Sequence, residues 1–397
     1  MSWLKGNVGV MLASWFLFAV SGSLTFPYLS QYMKMLGASP AEIGLASSLA
    51  SAAAMAAILP GGVLTDVIGR RRSIVAGTWG ITATQFFYAA SPDWRFFAAV
   101  YMVDSALHFY QPALVAILLD SLPPERRGGG MMLTMVLPQV PWLILPPVGG
   151  YLLDALGLEG MRLSFLISGA ISAAVAAMRM KALTETVPPA ELEPAEVLRE
   201  IARSYAFWRP LFKLDGFTAY AIALGLALNI AAAPLQRFGV LYATEVLGLD
   251  NAYWGAVQSA STAAAIAFGA AASSAIDRLP RRTALAAGLI LMALAYFLIA
   301  LWAHPLALFS AVVVGALGNE VAMAVRRAVV GDRVEPENRG RAMGSSLAFE
   351  YLGATIGGAA AGYLYSASPR LSFLFSGVLI AASSAYLARR TKGRGDL

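Results

Sequence analysis

No cysteine occurs anywhere in the chain, which excludes a disulfide, a thiolate nucleophile and a thiolate-bound metal. Histidine occurs only twice, too sparsely for a His-based metal site. Charge is scarce too: Asp, Glu, Lys and Arg make up 13% of the 397 residues, against about 25% in an ordinary soluble domain. No Gly-x-x-x-x-Gly-Lys-(Ser/Thr) loop is present, so nucleotide hydrolysis is not the expected energy source. Neither a cofactor, a metal nor enzyme chemistry is expected.

What remains is 58% hydrophobic, and it falls into twelve apolar runs of roughly 20 residues or more, each long enough to cross a bilayer. The expected fold class is therefore an all-α membrane protein of twelve transmembrane helices. The first run, from Val8 to about Tyr32, is too long for a cleavable signal and lacks a small-residue cleavage site. The odd connections hold Lys34, Arg95, Arg162 and Arg370, with Arg237 near the outer end of span seven. The other basic residues are assigned to the termini and the even connections, which puts both termini in the cytoplasm; the plasma membrane is the expected location. The net charge of +6 is thus a topology signal rather than a nucleic-acid footprint.

The chain repeats itself. Leu36-Gly37 with Ala41 and Gly44 recurs as Leu247-Gly248 with Ala252 and Gly255, an offset of 211. Asp66 to Arg71 recurs as Asp277 to Arg282 at the same offset, and Asp120 to Gly128 as Asp332 to Gly340 at 212. Arg162-Leu-Ser-Phe-Leu-Ile-Ser-Gly169 returns as Arg370-Leu-Ser-Phe-Leu-Phe-Ser-Gly377. Two parallel six-helix bundles follow, residues 1–181 and 211–397, with a substrate site between them at mid-membrane. A cytoplasmic linker, 182–210, joins them, and its Leu198, Ile201 and Tyr205 share one face of an amphipathic helix.

Between two apolar runs stands Gly62-Val-Leu-Thr-Asp66-Val67-Ile-Gly69-Arg70-Arg71-Arg72. A carboxylate, a glycine turn and three arginines this close cannot lie in hydrocarbon, so the stretch is a loop at a membrane face. Asp66 and Arg70 have the spacing of a helical ion pair. Gly62 is expected to let another helix pack close. This stretch resembles the signature loop of the major facilitator superfamily, Gly-x-Leu-x-Asp-Arg-x-Gly-Arg-Arg-(Arg/Lys), and departs from it at Val67. The resemblance implies a gate of Gly62, Asp66, Gly69, Arg70 and Asp120, copied as Asp277, Arg281 and Asp332, with Asp66 facing the start of span eleven. It also implies that spans one, four, seven and ten line the cavity. Leu145-Pro146-Pro147-Val148-Gly149-Gly150 is close to the antiporter pattern Gly-Pro-x-x-Gly-Gly, whereas the Pro-Glu-Ser-Pro-Arg signature of sugar porters is absent.

Ionisable groups inside spans are costly and usually functional. Span four carries Tyr101, Asp104, Ser105, His108 and Gln111 on one stripe, and Asp104 and His108 are spaced to share a proton or a hydrogen bond. Adding 212 to His108 gives Glu320, and Glu350 lies near mid-depth of span eleven. These four, Asp104, His108, Glu320 and Glu350, are the proton-coupling candidates; the alternative is that they satisfy each other or bond a neighbouring helix. Ser14, Phe18, Ser21, Thr25, Tyr101, Gln111, Asn229, Gln236 and Arg237 are the cavity candidates, Arg237 being either an anion clamp or a headgroup anchor. The expected function is a monomeric, proton-coupled secondary transporter working by alternating access and exporting amphipathic small molecules by antiport. Its partners are then a small-molecule substrate, protons and the bilayer. Proton-coupled uptake of a small metabolite or organic anion is the second reading, and a non-transporting membrane sensor the third.

Overall fold

The computed structural model describes residues 5–391, with side chains except at 210, 272–277, 336–338, 340, 341, 390 and 391. Among the described residues there is no strand. The chain forms two compact units, one of residues 1–37 and 49–206, the other of 38–48 and 207–397.

The first unit contains α1 (Asn7–Met35), the later part of α2 (Pro40–Ile58), α3 (Gly61–Ile68) and α4 (Arg70–Ala89). It continues through α5 (Trp94–Ser121), α6 (Pro124–Leu156), α7 (Leu158–Ala182) and the linker helix α8 (Pro194–Ser204). Within it α1 packs on α6 and α7, α4 on α5 and α7, and α6 on α7. The α1–α6 crossing is close because of the proline–glycine element. A Cβ on Gly149 would stand 2.4 Å from the Leu24 carbonyl oxygen, and the Tyr28 hydroxyl donates to the Pro146 carbonyl at 2.5 Å. Small residues thus let two backbones meet, and a side chain satisfies a carbonyl in a stretch where prolines remove backbone donors.

The second unit contains α9 (Gly216–Val246), α10 (Asn251–Arg278), α11 (Arg281–Leu301), α12 (Pro305–Arg333), α13 (Pro336–Ala367) and α14 (Pro369–Thr391). Here α9 packs on α13 and α14, α11 on α12 and α14, and α13 on α14. These are the first unit's pairings once α1 is matched to α9, α4 to α11, α5 to α12, α6 to α13 and α7 to α14, as the sequence repeat requires. One repeated pair has a backbone cause: Gly37 and Gly248 end their helices at φ of 94° and 66°, where side chains are disfavoured. Residues 38–48 belong to this unit through α13. A Cβ on Gly44 would lie 2.5 Å from the Gly358 carbonyl oxygen, and Ser48 donates to the Thr355 carbonyl at 2.5 Å.

Among the described residues nine helices are long and apolar enough to span a membrane. Of the twelve expected spans, the three outside that set are α4, α10 and α13. Helix α4 falls short because it carries Thr78, Thr82, Thr84 and Gln85, all buried inside the unit. Hydroxyls turned inward lower the hydropathy of a helix without exposing it to lipid. Both α10 and α13 include residues whose side chains are outside the described set.

The start of α9 illustrates local control. Asp215 accepts the backbone N–H groups of Phe217 (3.0 Å) and Thr218 (3.1 Å) and the Thr218 hydroxyl, and Arg333 lies 3.6 Å away. Burial pushes its carboxyl up, but these bonds and the guanidinium outweigh that and hold it below the usual carboxylate range. Asp215→Ala is expected to lower stability by about 0.5–2 kcal/mol, the usual worth of an N-cap. The sign follows from the lowered value: the contribution is full above the unfolded carboxylate range and is lost as pH falls through the folded value. Melting curves of wild type and variant therefore converge in acid. A constant gap at all pH values would refute the assignment.

Candidate functional site

The signature loop forms as an ion-paired corner. Gly69, at φ 99°, ends α3 and begins α4. Arg70 donates to Asp120 at 2.5 Å and stands 3.7 Å from Asp66. The Thr186 hydroxyl joins Asp120 at 2.9 Å. In the second unit Arg281 bonds Asp332 through Nε (3.3 Å) and Nη2 (3.2 Å), so the repeated pair has repeated geometry. The side chain of Asp277 lies outside the described residues. Such half-exposed pairs are each worth about 0–1 kcal/mol, weak enough to break and re-form.

Gly62 requires a correction. Nothing lies within 4 Å of a Cβ built there, whereas one on Gly61 would meet the Phe109 carbonyl oxygen at 2.1 Å. The close helix contact belongs to the neighbouring glycine, which the turn of the helix aims at α5. The linker also departs from a solvated tether at its start. Arg71 donates to the carbonyls of Leu183 (2.7 Å) and Met180 (2.6 Å), Asn7 brackets Thr184, and the Ala190 N–H reaches the Asp66 carbonyl at 2.7 Å.

Inside the first unit, α1, α4, α5 and α7 line a half-open cavity of about 150 Å³. Six of the expected residues converge on it: Phe18, Ser21, Thr25, Asp104, His108 and Gln111 all line it. Asp104 is 5% exposed, and its carboxylate accepts the Thr84 hydroxyl at 2.5 Å. His108 does not bond that carboxylate. Its Nδ1 lies 2.8 Å from the Asp104 backbone carbonyl. A carbonyl only accepts, so Nδ1 carries hydrogen, and Nε2 keeps a lone pair when the ring is neutral. Ser14 and Tyr101 stand back from the cavity: Ser14 is buried against α7, and Tyr101 packs beside Phe97.

Two arginines correct the charge map, in which they count as loop residues. Arg179 sits in α7 at 1% exposure and Arg326 in α12 at 4%. Arg179 lines the cavity together with Ser172 and Gln85. Arg326 bonds Glu350 at 2.8 Å, Ser346 at 2.9 Å and the Ala221 carbonyl at 2.8 Å. Glu350 is therefore half of an ion pair with a neighbouring helix. Glu320 is exposed, on the face of α12 opposite the residues packed inside the unit. Asn229 bonds the Gly225 carbonyl in its own helix at 2.9 Å, Gln236 is exposed and Arg237 is half-buried.

The sequence profile of the Major Facilitator Superfamily matches residues 11–273 and 238–395. No curated protein sequence matches the chain. Several solved structures share the fold. A POT family transporter in complex with 5-aminolevulinic acid is 14% identical with a TM-score of 0.78, covering 97% of this chain and 96% of its own. The nucleoside transporter NupG is 15% identical with a TM-score of 0.75 over 98% and 100%. A bacterial homolog of the human lysosomal transporter Spinster, inward-facing and occupied, is 16% identical with a TM-score of 0.75 over 98% and 96%. At these identities the likeness is one of fold.

Proposed function

Because the chain belongs to the major facilitator superfamily, we propose that it is a proton-coupled secondary transporter of small amphipathic molecules, working by alternating access. Membership makes it a multi-pass membrane transporter and not an enzyme. The observation that carries proton coupling is Asp104, a carboxylate buried in a cavity with a hydroxyl as its bonded partner. Ionised groups at such depth are expensive and tend to be functional. His108, with Nε2 unclaimed by the bond its other nitrogen makes, stands one turn away as a second proton site. The pairs Arg70–Asp120 and Arg281–Asp332 serve as the charge clusters that break and re-form in the cycle, with both termini in the cytoplasm.

Export by antiport is the first reading of direction. It draws on the aromatic wall of Trp15, Phe18 and Phe26 and on the proline–glycine element that brings α6 against α1. A guanidinium in the same cavity favours the second reading, an organic acid moving with its proton. Proteoliposomes carrying an imposed pH gradient, challenged with a panel of dyes, sugars and organic acids, test the proposal. Gradient-dependent flux of at least one amphipathic compound is expected. Flux indifferent to the gradient across the whole panel would remove proton coupling.

A further inference from the structure

We propose that the cavity of the first unit is an anion site, built to take the carboxylate of a small aromatic acid. Arg179 and Ser172 are each 1% exposed and lie seven residues apart, two turns along one stripe of α7. Both open on the same cavity. The guanidinium donates to the hydroxyls of Thr78 (2.9 Å) and Ser14 (3.1 Å) and rests 5.1 Å from the ring of Phe18. Its Nε–H has no hydrogen-bond partner, and neither does the Ser172 hydroxyl. No carboxylate among the described residues forms an ion pair with it.

Arg326 provides the contrast within the same chain: also buried, it has Glu350 as counter-ion. Hydroxyls satisfy donors but supply no charge. Asp104 lines the same cavity but is bonded to Thr84 and forms no ion pair with the guanidinium, and a buried cation without a directly paired counter-ion is unfavourable. An oxyanion provides both missing components, charge and acceptors for the two orphaned donors. The body of the ligand follows from the walls. A cavity of about 150 Å³ matches the engineered apolar cavity of that size that holds benzene, and Trp15, Phe18 and Phe26 face it. One ring with a carboxylate fits; a bare phosphate would leave the aromatic side unfilled.

The inference rests on the transport reading only in treating the acid as cargo, so binding is measured without a gradient. Full-length protein in lipid nanodiscs is titrated calorimetrically with benzoate, with benzamide as neutral isostere and with inorganic phosphate. Benzoate is expected to bind about tenfold or more tightly than benzamide, the margin of a hydrogen bond to a charged group. Arg179→Gln should erase that preference, and Arg179→Lys should restore part of it. Ser172→Ala, a small change that spares the fold, should weaken benzoate about three- to tenfold; it decides the matter if the arginine variants do not fold. Equal affinity for acid and amide, binding of phosphate but not benzoate, or benzoate held unchanged by Arg179→Gln overturns the proposal. Benzoate that binds yet never moves in gradient-loaded proteoliposomes sinks the transport reading and leaves the site. Driven flux of neutral compounds without benzoate binding does the reverse.

Discussion

Asp104→Asn is expected to abolish accumulation driven by a pH gradient while sparing exchange of substrate across the membrane. With one pH unit imposed, one coupled proton sustains about a tenfold concentration ratio, about 1.4 kcal/mol. An amide carries no proton, so the variant's ratio should fall to one. The substitution isolates the charge. Its Oδ1 still accepts the Thr84 hydroxyl that now bonds the carboxylate at 2.5 Å, and the volume of the side chain is kept. Counterflow needs only binding and the conformational cycle, and it should survive. His108→Gln is the companion, because its ring lines the same cavity with Nε2 left free by the bond that Nδ1 makes. Accumulation at the wild-type ratio in both variants would mean that the carrier lies elsewhere, with exposed Glu320 the next group to test.

Charge was legible in the sequence wherever it stood out against an apolar background. Asp66, Arg70 and Asp120 come together in the first unit, as Arg281 and Asp332 do in the second, because a repeated spacing of charged residues leaves few partners to choose from. The cavity residues of α1 and α5 were legible for another reason, since polar residues at helical spacing in an apolar span must share a face. Arg179 and Arg326 were missed, each lying close to a loop and beside another basic residue, Lys181 and Arg327. A positive flank and a buried arginine look alike to hydropathy; only rotation about the helix axis separates them. The available signal was phase: Ser164, Ser168, Ser172 and Arg179 lie on one stripe of α7, and all are buried. The same rotation decides between Gly61 and Gly62. The start of the linker was illegible because its partners are backbone carbonyls, Leu183, Met180 and Asp66, which carry no residue-specific mark.

Arg326→Met should strongly destabilise the second unit, costing about 3–5 kcal/mol. The guanidinium holds Glu350, Ser346 and the Ala221 carbonyl together across α9, α12 and α13. It fits because residue 225 is glycine: a Cβ there would stand 2.3 Å from Nη2. Removing Arg326 alone strands the Glu350 carboxylate, 25% exposed, without its counter-ion, which is the expensive half of breaking a buried pair. Removing both charges, as Arg326→Met with Glu350→Met, takes that penalty away. The double variant should therefore be markedly more stable than the sum of the singles requires, with a coupling of about 0.5–3 kcal/mol in a double-mutant cycle. Thermal and denaturant unfolding in detergent measure it, and additive costs would show that the two side chains are not energetically joined. The pair also divides labour among the carboxylates. Glu350 is committed to its ion pair with Arg326, so Glu350→Gln should keep gradient-driven accumulation where Asp104→Asn loses it.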